Sequence, residues 1–192
     1  MSRFSFGALP VLALLAVVGL RLSGAESEGK ILRPADHSSF ARGAVDVVAT
    51  APSGKLTLDG LPVEASQPYP DVFHTMVEPS EGPHRLVLEW ADGKREVEFF
   101  VGANAPAGYA PFHQHPPAAD VECGQCHGLS RQGQFIFKGG CFDCHQQGEF
   151  AKAHIHPPEI LSQCGMCHNP HGSTVKAHLI LSKEAACKQC HD

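Results

Sequence analysis

The 192-residue sequence predicts two differently built parts, an all-β sandwich followed by a mostly irregular domain with short helices. Three observations carry that expectation. Residues 26–102 contain no Cys and run in short stretches that alternate apolar and polar side chains between Gly and Pro turns. All 8 Cys fall between Cys123 and Cys190, and most of the 13 His fall between His113 and His191. Beyond Pro111 long apolar segments nearly vanish, so something other than side chains must fill the second part. The composition, 43% hydrophobic and 18% charged, excludes a disordered tail and a multi-span membrane protein. A net charge of −5 leaves no basic face to neutralise phosphates, so no nucleic-acid partner is expected.

Residues 1–25 read as a signal peptide. Arg3 gives a basic start, Leu9 to Leu20 is an apolar run, and Ser23-Gly24-Ala25 supplies small residues before a cleavage point. The run is short for a bilayer crossing, so a membrane is involved only if the segment stays uncleaved as an anchor. No Cys lies near it to take a lipid. Periplasmic or extracellular localisation follows.

In residues 26–102, Ala44 to Ala49 is a Val-rich strand that ends at a Pro52-Ser53-Gly54 turn. Lys55-Leu56-Thr57-Leu58 alternates with period two and meets Asp59-Gly60, a strong hairpin dipeptide. Val72 to Val77 and Arg85 to Trp90 alternate again, and Asp92-Gly93 turns the latter into Arg95 to Val101. Five or more strands at such spacing indicate a small β-sandwich. The segment resembles the bacterial immunoglobulin-like modules appended to secreted enzymes. The likeness rests on Arg33-Pro34-Ala35-Asp36, on Gly43 before a Val-rich strand, on Leu56 through Val63, on Phe73 and on Glu81-Gly82-Pro83-His84. It implies an immunoglobulin-like sandwich and no particular ligand. His37, His74 and His84 lie here and read as surface or half-buried side chains. Residues 103–112, small and Pro-containing, read as a linker.

Residues 113–192 hold the chemistry. The Cys fall as Cys123-Gly124-Gln125-Cys126-His127, Cys141-Phe142-Asp143-Cys144-His145, Cys164-Gly165-Met166-Cys167-His168 and Cys187-Lys188-Gln189-Cys190-His191. Four copies of C-x-x-C-H therefore consume every Cys. That pattern is the attachment signature of c-type haem: two thiols add to the vinyl groups, and the adjacent His becomes the proximal iron ligand. Two Cys₄ zinc sites or four disulfides also use eight Cys, but neither explains a His after each second Cys. Four covalently bound haem c groups would supply the missing core and make the domain haem-packed.

Each iron needs a sixth ligand. Met is poorly placed: Met1 leaves with the signal, Met76 lies in the β-part and Met166 sits inside a motif. His113, His115, His154, His156, His171 and His178 are six candidates for four positions, so bis-histidine ligation is expected. An internal repeat helps to rank them. His113-Gln114-His115-Pro116-Pro117 stands to Cys123 as His154-Ile155-His156-Pro157-Pro158 stands to Cys164, with an offset of 41 residues. Each unit reads H-x-H-P-P and then two C-x-x-C-H motifs.

The second unit resembles the doubled C-x-x-C-H family of multihaem cytochromes. The matching residues are His156-Pro157, Cys164 through Ser173, Leu181 and Cys187 through His191. The resemblance implies that His171, in the CHxPH segment, is a distal ligand. The first unit departs from it, because Gly128-Leu129-Ser130 follows His127 and no His matches His171. His115, His156 and His171 rank first, then His113, His154 and His178.

The implied activity is electron transfer with redox partner proteins, docking aided by Lys138, Lys152, Lys176, Lys183 and Lys188. A second reading is self-association, since tetrahaem chains of this size resemble the subunits of extracellular cytochrome filaments. A redox enzyme would need a penta-coordinate haem, and the absence of a C-x-x-C-K variant and the surplus of His argue against one.

Overall fold

The computed structural model describes residues 28–115, 123–146 and 156–191; the expected signal peptide and His154 lie outside them. Ten strands come first. They are β1 (Lys30–Arg33), β2 (Ser38–Phe40), β3 (Val45–Thr50), β4 (Lys55–Leu58), β5 (Leu61–Val63), β6 (Ser66–Tyr69), β7 (Val72–Val77), β8 (Gly82–Trp90), β9 (Gly93–Val101) and β10 (Ala110–Pro111). One sheet has the order β1-β3-β7-β6 and the other β10-β2-β9-β8-β4-β5. Every pairing is antiparallel except β2 with β9 and with β10.

Period-two patterning explains the layers. Val45, Val47 and Ala49 of β3 and Phe73 of β7 meet Leu56 of β4, Leu86 and Leu88 of β8, and Phe99 and Val101 of β9 in one buried cluster. Those residues come from both sheets, so the core lies between them. Burying one such Leu fully contributes about 1.5–3 kcal/mol. At Asp59-Gly60 both residues take positive φ, 52° and 82°, and Leu58 pairs with Leu61, so the expected hairpin forms there. The next reversal falls one residue early: Trp90 pairs with Gly93, so Ala91-Asp92 makes the turn and Gly93 already belongs to β9.

His84 is buried. Its Nδ1 lies 2.7 Å from Asp59 Oδ2 and its Nε2 2.7 Å from the Ser80 carbonyl. His37 stands beside Asp36 at the surface, and His74 reaches Asp46.

The stretch read as a linker is partly structured. Ala110–Pro111 adds a strand alongside β2, and the Phe112 N–H donates to the Ser39 carbonyl at 2.9 Å. Two-residue strands have too little periodicity to show in a sequence. A second small hairpin follows, β11 (His127–Leu129) with β12 (Phe135–Phe137). Among the described residues two α-helices follow it, α1 (Pro158–Leu161) and α2 (Lys183–Cys187). Among the described residues no helix is long and apolar enough to cross a membrane.

Among the described residues the buried apolar core residues all lie between Val45 and Val101. In the C-terminal part Leu129, Ile136, Phe137, Phe142, Ile160, Met166, Ile180 and Leu181 are exposed. Among the described residues the chain by itself builds no core there.

Candidate functional site

Each C-x-x-C-H motif folds as one tight turn. The second Cys N–H donates to the first Cys carbonyl in all four, at 3.2 Å for Cys126, 3.3 Å for Cys144, 3.2 Å for Cys167 and 3.3 Å for Cys190. In three of them the His N–H also reaches the first Cys carbonyl, at 2.9 Å for His145, 2.9 Å for His168 and 3.0 Å for His191. A turn of this kind brings both sulfurs and the imidazole to neighbouring positions, as attachment to one macrocycle edge requires. Local chemistry fixes the turns: Asp143 Oδ2 accepts from the Gly140 N–H at 2.9 Å, and Ser182 caps α2 ahead of Cys187.

The first motif differs in the way its sequence does. With Gly128-Leu129-Ser130 after it, His127 enters β11 instead of continuing the turn, and Cys126 O accepts from the Lys138 and Gly139 N–H groups. The His127 ring packs on Phe135, with centroids 4.7 Å apart.

None of the eight Cys is in a disulfide. Burial pushes the Cys141 thiol up, and the adjoining Cys164 thiol adds to the shift, so the second and third motifs meet through their sulfurs.

The imidazoles form pairs. His127 faces His171 with centroids 6.0 Å apart and planes 8° from parallel. His145 faces His115 at 5.9 Å and 27°, and His191 faces His156 at 6.1 Å and 37°. That spacing would admit a metal ion held by one nitrogen of each ring, with metal–nitrogen bonds of about 2.0 Å. In each pair one ring belongs to a C-x-x-C-H motif and the other is a candidate distal His. The partners are His115, His156 and His171.

Nitrogen chemistry agrees with ligation through Nε2. A carbonyl can only accept, so a ring Nδ1 beside one carries the proton and leaves Nε2 with its lone pair. His168 Nδ1 lies 2.7 Å from the Ala177 carbonyl, His115 Nδ1 3.2 Å from that of Pro170, and His178 Nδ1 3.1 Å from that of His113. His171 is pushed down to about 4, first by burial and then by the Arg33 guanidinium, His127 and His115, so it is neutral at pH 7. Burial, then His115, also lowers His178.

His113 pairs with Ser173 as a backbone bridge, and the His178 ring stands edge-on to His115 at 5.2 Å. His154 lies outside the described residues.

The residues fit covalently held haem. The paired imidazoles would hold the iron, and the Cys thiols would anchor the haem that carries it. Among the described residues no group of three or more His, Cys, Asp or Glu is arranged to hold a metal ion by itself, as zinc would need. The exposed apolar side chains around the motifs, Phe137 at 58% and Leu129 at 52%, are the surfaces a porphyrin would cover. His127 Nδ1 is buried with no hydrogen-bond partner.

Residues 156–192 match the family described as the doubled CXXCH motif. That match, confined to the second unit, indicates covalently bound haem c and supports a multihaem c-type cytochrome engaged in electron transfer. No curated protein matches the chain. Among solved structures, an FMN-binding β-glucuronidase from Facaelibacterium prausnitzii L2-6 is 22% identical over 43% of this chain and 13% of its own, with a TM-score of 0.34. A polysaccharide lyase is 16% identical over 35% of this chain and 11% of its own, with a TM-score of 0.31. A chimeric titin Z1Z2 tandem is 10% identical over 38% and 46%, with a TM-score of 0.26. This chain thus spans only a small part of the two enzymes, and likenesses this slight bear on neither fold nor function here.

Sequence reading missed Arg33 and Asp46, which lie against the paired-His segments from the β-part. Arg33 was visible only as part of a module motif.

Proposed function

We propose that the chain is an exported tetrahaem c-type cytochrome, an electron carrier rather than an enzyme, with an immunoglobulin-like module at its N-terminus. Its haems would be ligated by two His each, with His127, His145, His168 and His191 proximal. The single observation that carries this reading is the recurrence of motif His and candidate distal His at 5.9–6.1 Å in three separate pairs.

Bound haem supplies the one-electron couple. The residues would do the rest: eight thiols anchor, carbonyls hold the Nδ1–H groups of His115 and His168 and so orient those imidazoles, and apolar side chains exclude water and so tune the potential. With two His holding each iron, no position would be left for a substrate, which favours passage of electrons over conversion of small molecules. Localisation in the periplasm or outside the cell follows from the signal-like residues 1–25, and the partners are redox proteins. The distal set favoured is His115 for His145, His171 for His127 and His156 for His191.

The test is the holoprotein expressed with a cytochrome c maturation system. Alkaline pyridine absorbance and intact mass should give four haems per chain, and the resting ferric protein should be fully low-spin. A stoichiometry of two, or a high-spin signal with cyanide binding, would defeat the tetrahaem bis-histidine reading.

A further inference from the structure

Arg33 ends β1, far from the motifs in sequence, yet its guanidinium reaches the segments that carry two of the paired imidazoles. Nε donates to the His171 carbonyl at 2.5 Å, across 138 residues of chain, and Nη2 donates to the His115 carbonyl at 2.7 Å, across 82. Nη1 pairs with Asp46 of β3. Asp46 is held in turn by His74 Nε2 at 3.0 Å and by Gln114 Nε2 at 3.3 Å. The Arg33 and Asp46 side chains are only 13% and 12% exposed. A charge withdrawn from water that far is tolerated only when it is paired and its donors are used, and here all three arms of the fork have an acceptor.

The two segments are also joined to each other. The His113 N–H donates to the Ser173 carbonyl at 2.8 Å, and the Ser173 N–H returns to the His113 carbonyl at 3.0 Å. His115 Nδ1 meets the Pro170 carbonyl at 3.2 Å. The unit so formed presents the His115 ring to His145 and the His171 ring to His127.

We propose that Arg33 is a positioning residue for haem ligation: one guanidinium on the β-part fixes the main chains of His115 and His171 and so sets where both imidazoles meet their partners. This rests on the bis-histidine reading above. The β-part then acts as the fixed frame for two sixth ligands, beyond any service as an appended module. Lysine cannot replace Arg33, because an ammonium is a point donor on a flexible stem and cannot address three acceptors in a fork.

The experiment compares full-length holoprotein with Arg33→Lys and Arg33→Met, reading covalent haem content, thermal stability and carbon monoxide binding by the dithionite-reduced form. Haem content should stay unchanged, because thioethers hold it. Both variants should bind carbon monoxide at up to two of the four haems, where the wild type binds none. Variants that melt earlier yet stay as inert to carbon monoxide as the wild type would assign Arg33 a purely structural role and overturn the proposal. If Arg33→Met fails to accumulate, Arg33→Lys, which keeps the charge, carries the same comparison. A wild type without covalent haem, or one that binds carbon monoxide freely, would instead defeat the bis-histidine reading and the proposal together.

Discussion

His127 and His171 stand 6.0 Å apart with nearly parallel rings, although they belong to different C-x-x-C-H units. The distal candidate of the second unit thus lies against the first motif of the first unit, where no His matches it in sequence. Replacing His171 with Ala should leave four haems attached but turn one of the four high-spin and reactive to carbon monoxide. An unaltered low-spin spectrum would remove His171 from the ligand set.

Gly172 should resist substitution. Its φ is +115°, and a Cβ there would lie 2.5 Å from Phe112 Cζ and 2.8 Å from the His113 carbonyl. Gly172→Ala is expected to cost about 1–3 kcal/mol in denaturant unfolding, combining strain with overpacking.

The C-terminal motif offers a count. Its turn is closed by backbone bonds from Cys190 and His191 to the Cys187 carbonyl, independently of the other three. Cys187→Ala together with Cys190→Ala should lower the mass by one covalent haem and the pyridine absorbance by a quarter. A loss of all haem would show the motifs to be interdependent.

Acid should loosen the β8 end of the sandwich. Burial raises the Asp59 carboxyl, but hydrogen bonds from His84 and the Arg85 N–H outweigh it, and the net shift is downward. A carboxylate held low in the folded state contributes stability above its unfolded pKa and loses it as pH falls through the folded one. The Asp59 side chain is 47% exposed, so screening limits the contribution to under about 1 kcal/mol. Melting temperatures of wild type and Asp59→Asn should converge as pH drops from about 5 to 3. Parallel curves would show that the pair contributes nothing.

The sandwich core sets the remaining stability. Leu86 is fully buried between the sheets, and Leu86→Ala should cost about 2–5 kcal/mol. Fluorescence of Trp90, the sole Trp, reports the transition.

The strands with clear alternation, β3, β4, β7, β8 and β9, were legible because each buries one face. Short strands such as β2 and β10 were not: three residues and two residues cannot show a period. The Cys and motif His of the site were legible from a four-fold pattern that needs no tertiary information. The pairing of His115 with His145 and of His171 with His127 was not, since it depends on two segments meeting through His113 and Ser173. The contacts of Arg33 with the His segments were hidden for the same reason, as the acceptors there are main-chain carbonyls, which carry no sequence signal.

The run from Ala110 to His113 limits how far the segment it carries can swing from the β-part. Hydrogen bonds continue from β2 through Phe112 to the His113–Ser173 bridge without a free residue at which a joint could swing. A flexible spacer would let the C-terminal part sweep a radius that grows with the square root of its length. Along Ala110–His113 there is no such slack, so in the proposed electron carrier the exchange surfaces tied to this run would stay fixed on the β-part, and a redox partner would have to travel to them.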